Sequence, residues 1–174
     1  MRGKFVRKRL FCQKIPPPPP SVNADQDPKS ADGSPCKVKR YEAHASNGAC
    51  ASCHKAIDPS GFGLEAFDGA GKLRTHDEGL AECPVVAKGS VVTAGASTPF
   101  SGPGALGRIL VESGAAANCF TVMMVDFLDG ADPSTSGIDV AAAQAVFKKN
   151  GYRLKDFLIE VLTSMSTLKL EDKP

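Results

Sequence analysis

Apolar residues recur at helical spacing through most of the carboxyl half of the chain. Intervals of three and four residues between them are typical of helices that bury one face. Asn150-Gly151 supplies a suitable stop between the last two segments. The pattern predicts four helices, over about residues 101–113, 118–128, 139–149 and 152–164.

The amino half carries a weaker apolar pattern and more breakers. Pro16 to Pro20 form a run without backbone donors, which favours an extended polyproline II segment. Residues 37–49 predict a short helix, and Asp58-Pro59 predicts the start of another, with Asp as N-cap and Pro at the first helical position. Small and β-branched residues over 72–100 predict a loop with a short hairpin.

These segments together predict a mainly α fold. We expect a small helical module with a long Pro-rich loop, followed by a small helical bundle. The predicted segments are a basic arm and Pro-rich loop over 1–36, the helical module over 37–80 and the bundle over 81–174.

Charge is distributed unevenly along the 174 residues. Residues 1–40 hold ten Lys/Arg and three Asp, a charge of +7, so the rest of the chain carries −5 for a net charge of +2. Because the basic arm does not form a known nucleic-acid module with interleaved surface aromatics, we expect no nucleic-acid partner. No run approaches the roughly 20 apolar residues of a membrane span, so we predict no transmembrane segment.

Six cysteines are many for this length. Cys50 and Cys53, followed by His54, form the C-x-x-C-H sequence of covalent haem c attachment. On a helix, residues i and i+3 share a face, so both sulfurs can reach the two vinyl groups of one porphyrin. His54 is then the proximal iron ligand.

Three other uses of these cysteines stay open at this point. A zinc site could recruit Cys36, Cys83 or His76, although a second C-x-x-C pair is absent. A thiol redox pair would need a preceding strand, which residues 37–49 do not predict. Cys50 and Cys53 could also be structural.

Longer stretches of sequence point to one family. The elements are RGKFVRKRLFC, IPPPPP, EAH, CASCH and DPSGFGLEAFDGAGKLR, and in this combination the chain resembles the planctomycete-type cytochrome c-like domain. From about residue 83 it resembles the planctomycete and myxobacterial surface domain that follows it in such proteins, through ASTPFSGPGALGRIL, NCF and GYRLKDFLIEVLTS.

The resemblance implies that the helical module is a small c-type cytochrome-like module, with one covalent haem c and an electron-transfer function. The second axial ligand would be His44, Met123 or Met124, with His76 and Met165 as weaker candidates. An open sixth position would instead permit ligand or peroxide chemistry.

Residues after the motif receive supporting roles. A carbonyl near Pro59 would accept the second N–H of the proximal imidazole. Glu65 and Asp68 are expected on a solvated helix face. With only three histidines and no Ser/His/Asp arrangement, a hydrolase is disfavoured.

The other four cysteines allow three pairings, and we favour Cys12–Cys36 with Cys83–Cys119. Disulfides and haem c both indicate a periplasmic or extracellular location. Because the chain begins inside the family pattern and has no export signal, we expect the carboxyl-terminal part of a larger secreted protein.

We therefore expect an electron carrier rather than a catalyst, with a redox partner protein or upstream domains of the same polypeptide as partner. The alternatives are a non-redox, disulfide-stabilised surface module and a haem enzyme with an open distal site.

Overall fold

The structure is a computed structural model that describes residues 2–20, 22, 27–46, 48–129 and 138–171. The chain divides into two compact units, Met1–Ser113 and Gly114–Pro174. Each unit is described by itself. The division into the segments 1–36, 37–80 and 81–174 stays a prediction.

Three helices of the first unit precede its strands in sequence, and the fourth follows them. A π-helical turn, Val6–Leu10, continues the first helix directly. The helices are α1 (Arg2–Phe5), α2 (Lys37–Ser46), α3 (Gly48–Phe62) and α4 (Gly102–Glu112).

The helix predicted to begin at Asp58 is part of a longer one. Pro59 lies inside α3, so no new helix starts there. Proline removes one backbone hydrogen bond and its ring crowds the preceding turn, but here the helix continues through it. Asp58 is therefore a residue in the middle of α3 and not the N-cap of a new helix.

Two antiparallel hairpins separate α3 from α4. Strand β1 (His76–Asp77) pairs with β2 (Leu80–Pro84), and β3 (Gly89–Thr93) pairs with β4 (Ala96–Phe100) in the register Gly89 to Phe100. A hairpin over 72–100 was predicted, but the mainly α fold is wrong. The fold is mixed α/β, because β-branched residues such as Val91 and Val92 alternate between buried and exposed positions and form strands.

The apolar core of the first unit joins its amino-terminal segment to its last helix. Val6, Val91, Phe100 and Leu106 are buried together. Leu106 lies on α4, so the first of the four predicted helices packs in this unit. The predicted four-helix bundle is consequently wrong.

Glycines permit two close backbone contacts in this unit. A Cβ on Gly3 would lie 1.9 Å from the carbonyl oxygen of Ile57, and one on Gly89 would lie 2.3 Å from that of Pro59. In both contacts the partner backbone belongs to α3. Gly3 approaches it from α1, and Gly89 approaches it from β3. Only residues without a side chain allow backbones to approach this closely.

The disulfide of the first unit joins Cys36 to Cys83 across a sequence separation of 47. It excludes both favoured pairings, Cys12–Cys36 and Cys83–Cys119, which are therefore wrong. The backbone N–H of Lys37 also donates to Asp77 Oδ2 at 2.8 Å, so the start of α2 is held against the first hairpin. The sequence predicted a short hairpin over 72–100 without locating its strands, so the proximity of Cys83 to Cys36 was missed.

Three helices form the second unit: α5 (Ala115–Asp129), α6 (Val140–Lys149) and α7 (Leu154–Glu171). Their presence confirms three of the helices predicted from spacing. The core contains the buried residues Val125, Ala143, Phe147, Phe157 and Val161. The rings of Phe120 and Phe157 lie 5.2 and 5.0 Å from that of Phe147, a separation at which aromatic pairs attract.

Candidate functional site

The cysteine and histidine motif lies at the beginning of α3. Cys50 and Cys53 are free and half-buried, and both belong to the same helix as His54. The other four cysteines differ, since Cys36 and Cys83 are bonded to each other and Cys12 and Cys119 are also in the disulfide state. The two thiols of the motif are therefore the ones left available for chemistry.

The imidazole of His54 is held by a carboxylate one helical turn later. Nδ1 of His54 lies 2.9 Å from Oδ2 of Asp58, whose side chain is 9% exposed, whereas 31% of the His54 side chain is exposed. With Nδ1 so engaged, Nε2 is the nitrogen left for a ligand.

A carbonyl near Pro59 was expected in this role, but the partner in the structure is the Asp58 side chain. The carbonyl oxygen of Pro59 instead faces the backbone of Gly89. The sequence signal for Asp58 was its spacing of four from His54, which places both on one face of a helix only if the helix runs through Pro59.

His44, one of the expected distal ligands, packs directly on His54. It lies on α2, and the two ring centres are 4.3 Å apart with planes at 89°. Desolvation lowers the pKa of His44, and the neighbouring His54 lowers it further, so the neutral ring is favoured. The structure thus brings together two histidines ten residues apart in sequence.

The remaining distal candidates lie elsewhere. Met123 and Met124 are on α5 in the second unit, where Met124 packs against the apolar core. His76 is on β1 with Nδ1 3.0 Å from Thr75 Oγ1. The side chain of Met165 lies outside the described residues. The identity of a distal ligand stays a prediction.

A buried carboxylate lies one turn beyond α3. Glu65 is 7% exposed, with Arg2 Nη1 and Lys37 Nζ each 3.0 Å from its oxygens and Arg74 Nη2 as a third donor. The expectation of a solvated position is wrong, because three cations from separate segments offset its desolvation.

A cleft of about 410 Å³, lined by both polar and apolar groups, lies between this carboxylate and the motif helix. Its lining includes Arg2, Lys37, Glu65 and Asp58, the same carboxylate that holds His54. Sequence reasoning did not find the cleft, since its walls come from segments that are distant along the chain.

The zinc alternative loses two of its proposed ligands. Cys36 and Cys83 form a disulfide and so cannot supply thiolates. Among the described residues, no group of three His, Cys, Asp or Glu side chains could hold a metal ion. The strand that a thiol redox pair would need before it is also replaced by α2.

Within the part of the chain that the structure describes, no single helix is long and apolar enough to cross a membrane. Gly102–Glu112 and Ala115–Leu128 reach the required length and composition only as a bent pair.

Comparison with known proteins finds a family model that matches the amino-terminal part of the chain. No curated protein and no solved structure matches the chain. This family model is described as PSCyt3, a protein of unknown function (DUF1588). The match does not extend to the surface domain predicted from about residue 83, which stays a prediction. Residues 1–77, which include the whole cysteine and histidine motif, thus match a planctomycete family of cytochrome-c-like domains.

Proposed function

We propose that the chain carries one covalently attached haem c and transfers single electrons through it, outside the cytosol. The observation that carries this proposal is that four of the six cysteines are in disulfides, whereas the two of the motif are free thiols. Two thiols remain free, and both stand beside a histidine whose Nδ1 is already engaged. The family match over residues 1–77 supports the same function.

The donor set fits a covalently held haem. Cys50 and Cys53 are three apart on α3, so their sulfurs can bond to one porphyrin. Each thiol would add across a vinyl double bond, forming a C–S bond while its hydrogen goes to carbon, without any oxidant. His54 would bind the iron through Nε2, and the haem would supply the one-electron couple of that iron.

The contact between His44 and His54 limits what His44 can do. Two imidazole nitrogens on opposite sides of one metal are about 4 Å apart, taking roughly 2 Å for each bond, and the ring centres are farther apart still. The observed centres are only 4.3 Å apart. His44 as a distal ligand therefore requires a rearrangement of α2.

Oxidised cysteines support the proposed location. Disulfides persist in the periplasm and outside the cell, where haem c attachment also takes place. We propose that the chain acts outside the cytosol and exchanges its electron with a redox partner protein or with other domains of the same polypeptide.

The test is covalent haem in the purified full chain. The chain would be directed to the periplasm of a host competent in haem c attachment and examined by haem staining after denaturing electrophoresis and by intact mass. We expect a stained band and the mass gain of one haem. Replacing both motif cysteines, Cys50→Ala with Cys53→Ala, removes both signals, whereas Ser52→Ala, between them, retains both. Haem-free protein from the competent host contradicts the proposal.

A further inference from the structure

Asp58 makes a direct polar contact with the motif histidine, His54. Its carboxylate is almost fully buried and lies 2.9 Å from Nδ1 of His54, four residues earlier on α3. The three cations of the adjoining cleft are directed to Glu65 instead. Among the described residues, the ion-pair partner of Asp58 is therefore the imidazole of His54.

We propose that Asp58 is a positioning residue that fixes the tautomer of His54 and lowers the reduction potential of an iron bound to it. The second part rests on the proposed haem function, whereas the first part concerns the apoprotein alone.

The tautomer follows from the inventory of donors and acceptors. A neutral imidazole has one N–H, and an ionised carboxylate can only accept a hydrogen bond. The proton must therefore lie on Nδ1, which leaves the lone pair of Nε2 for a metal. The ring is ready for ligation before any iron arrives.

The effect on potential follows from charge. A carboxylate that accepts from a ligating imidazole makes that ligand more basic, and an electron-rich ligand stabilises the ferric over the ferrous state. A bound iron would be reduced from Fe³⁺ to Fe²⁺ by one electron that the partner protein supplies. Removal of the carboxylate charge should therefore make reduction easier.

The first experiment needs no haem. Nitrogen-15 NMR of the histidine rings in the apoprotein reports which nitrogen carries the proton. We expect His54 as the Nδ1–H tautomer in the wild-type protein and at least a tenfold fall in the ratio of that tautomer to the Nε2–H form in Asp58→Ala. Asp68→Asn is the control, because Asp68 lines the same cleft but its Oδ1 accepts from the N–H groups of Ala70 and Lys72. An unchanged tautomer in Asp58→Ala overturns the first part.

The second experiment measures the haem midpoint potential in Asp58→Asn, which conserves the shape of the side chain. We expect the midpoint potential to rise by about 59 mV. For a one-electron couple this corresponds to a tenfold shift of the equilibrium from ferric towards ferrous iron. Asp68→Asn should keep the wild-type potential. A wild-type potential in Asp58→Asn with haem attached overturns the second part, whereas a wild-type chain without haem overturns the proposed function and leaves the NMR result standing.

Discussion

The two units of this chain are stabilised by different kinds of contact. The second consists of three helices around an aromatic and aliphatic core. The first combines a smaller apolar core with a disulfide, glycine contacts between backbones and a buried carboxylate surrounded by three cations. Helix periodicity is enough to predict the second kind of unit, whereas the first depends on pairings between distant segments.

The largest expected effect is on the core of the second unit. Phe157 is fully buried, so Phe157→Ala should lower the free energy of unfolding by about 3–5 kcal/mol through lost burial and the cavity left behind. Phe127→Ala, at a position 77% exposed, is the matched control and should have little effect. Hydrogen exchange of amides in α6 and α7 reports this unit separately. Equal protection in both variants would contradict an aromatic core.

The corresponding change in the first unit is at its buried carboxylate. Glu65→Gln keeps the size of the side chain but leaves three cations without their shared counter-charge, so we expect a loss of about 3 kcal/mol. Amide exchange in α1 and α2 should rise, while α6 and α7 keep their protection. A variant as stable as the wild type would mean that Glu65 and its three cations make no net contribution to the free energy of unfolding. The two units would then differ less than proposed.

A smaller effect is expected where α1 crosses α3. The Cβ of Gly3→Ala would collide with the backbone oxygen of Ile57, which cannot move aside as a side chain does. We expect a loss of about 1–3 kcal/mol, measured by urea denaturation. Gly104→Ala, on α4 with open space around it, is the control and should be neutral or slightly stabilising.

The smallest effect concerns an exposed ion pair of the second unit. Hydrogen bonds from Asn150 and then Lys149 lower the pKa of Glu160 below its ordinary 4.5. Since the folded pKa is the lower one, this stabilisation is present above pH 4.5 and disappears as the pH falls through the folded value. The stability difference between wild type and Glu160→Gln, followed by urea denaturation, should therefore vanish in acid. A difference that persists at low pH would place its origin in packing rather than charge.

Sequence reasoning succeeded where local rules decide structure. The apolar spacing from Phe120 to Val161 predicted α5, α6 and α7 because each of these helices must bury one apolar face. It failed for Glu65, whose burial depends on Arg2 and Arg74 arriving from other segments. It also placed the support of His54 on a carbonyl near Pro59, since a helix boundary was expected where α3 continues. The roles of Cys50, Cys53 and His54 in haem binding stay predictions, although the structure leaves both thiols free.

The buried carboxylate also has a kinetic consequence. Lys37 meets Glu65 across 28 residues, and Arg2 meets the neighbouring Leu64 across 62, whereas the ion pair of the second unit, Lys149 with Glu160, spans only 11. Closing longer loops costs more chain entropy before any contact compensates it, and folding rates fall as contacts become less local. We therefore expect the amino-terminal unit to fold more slowly than the helical unit, with the docking of its first residues among the last events.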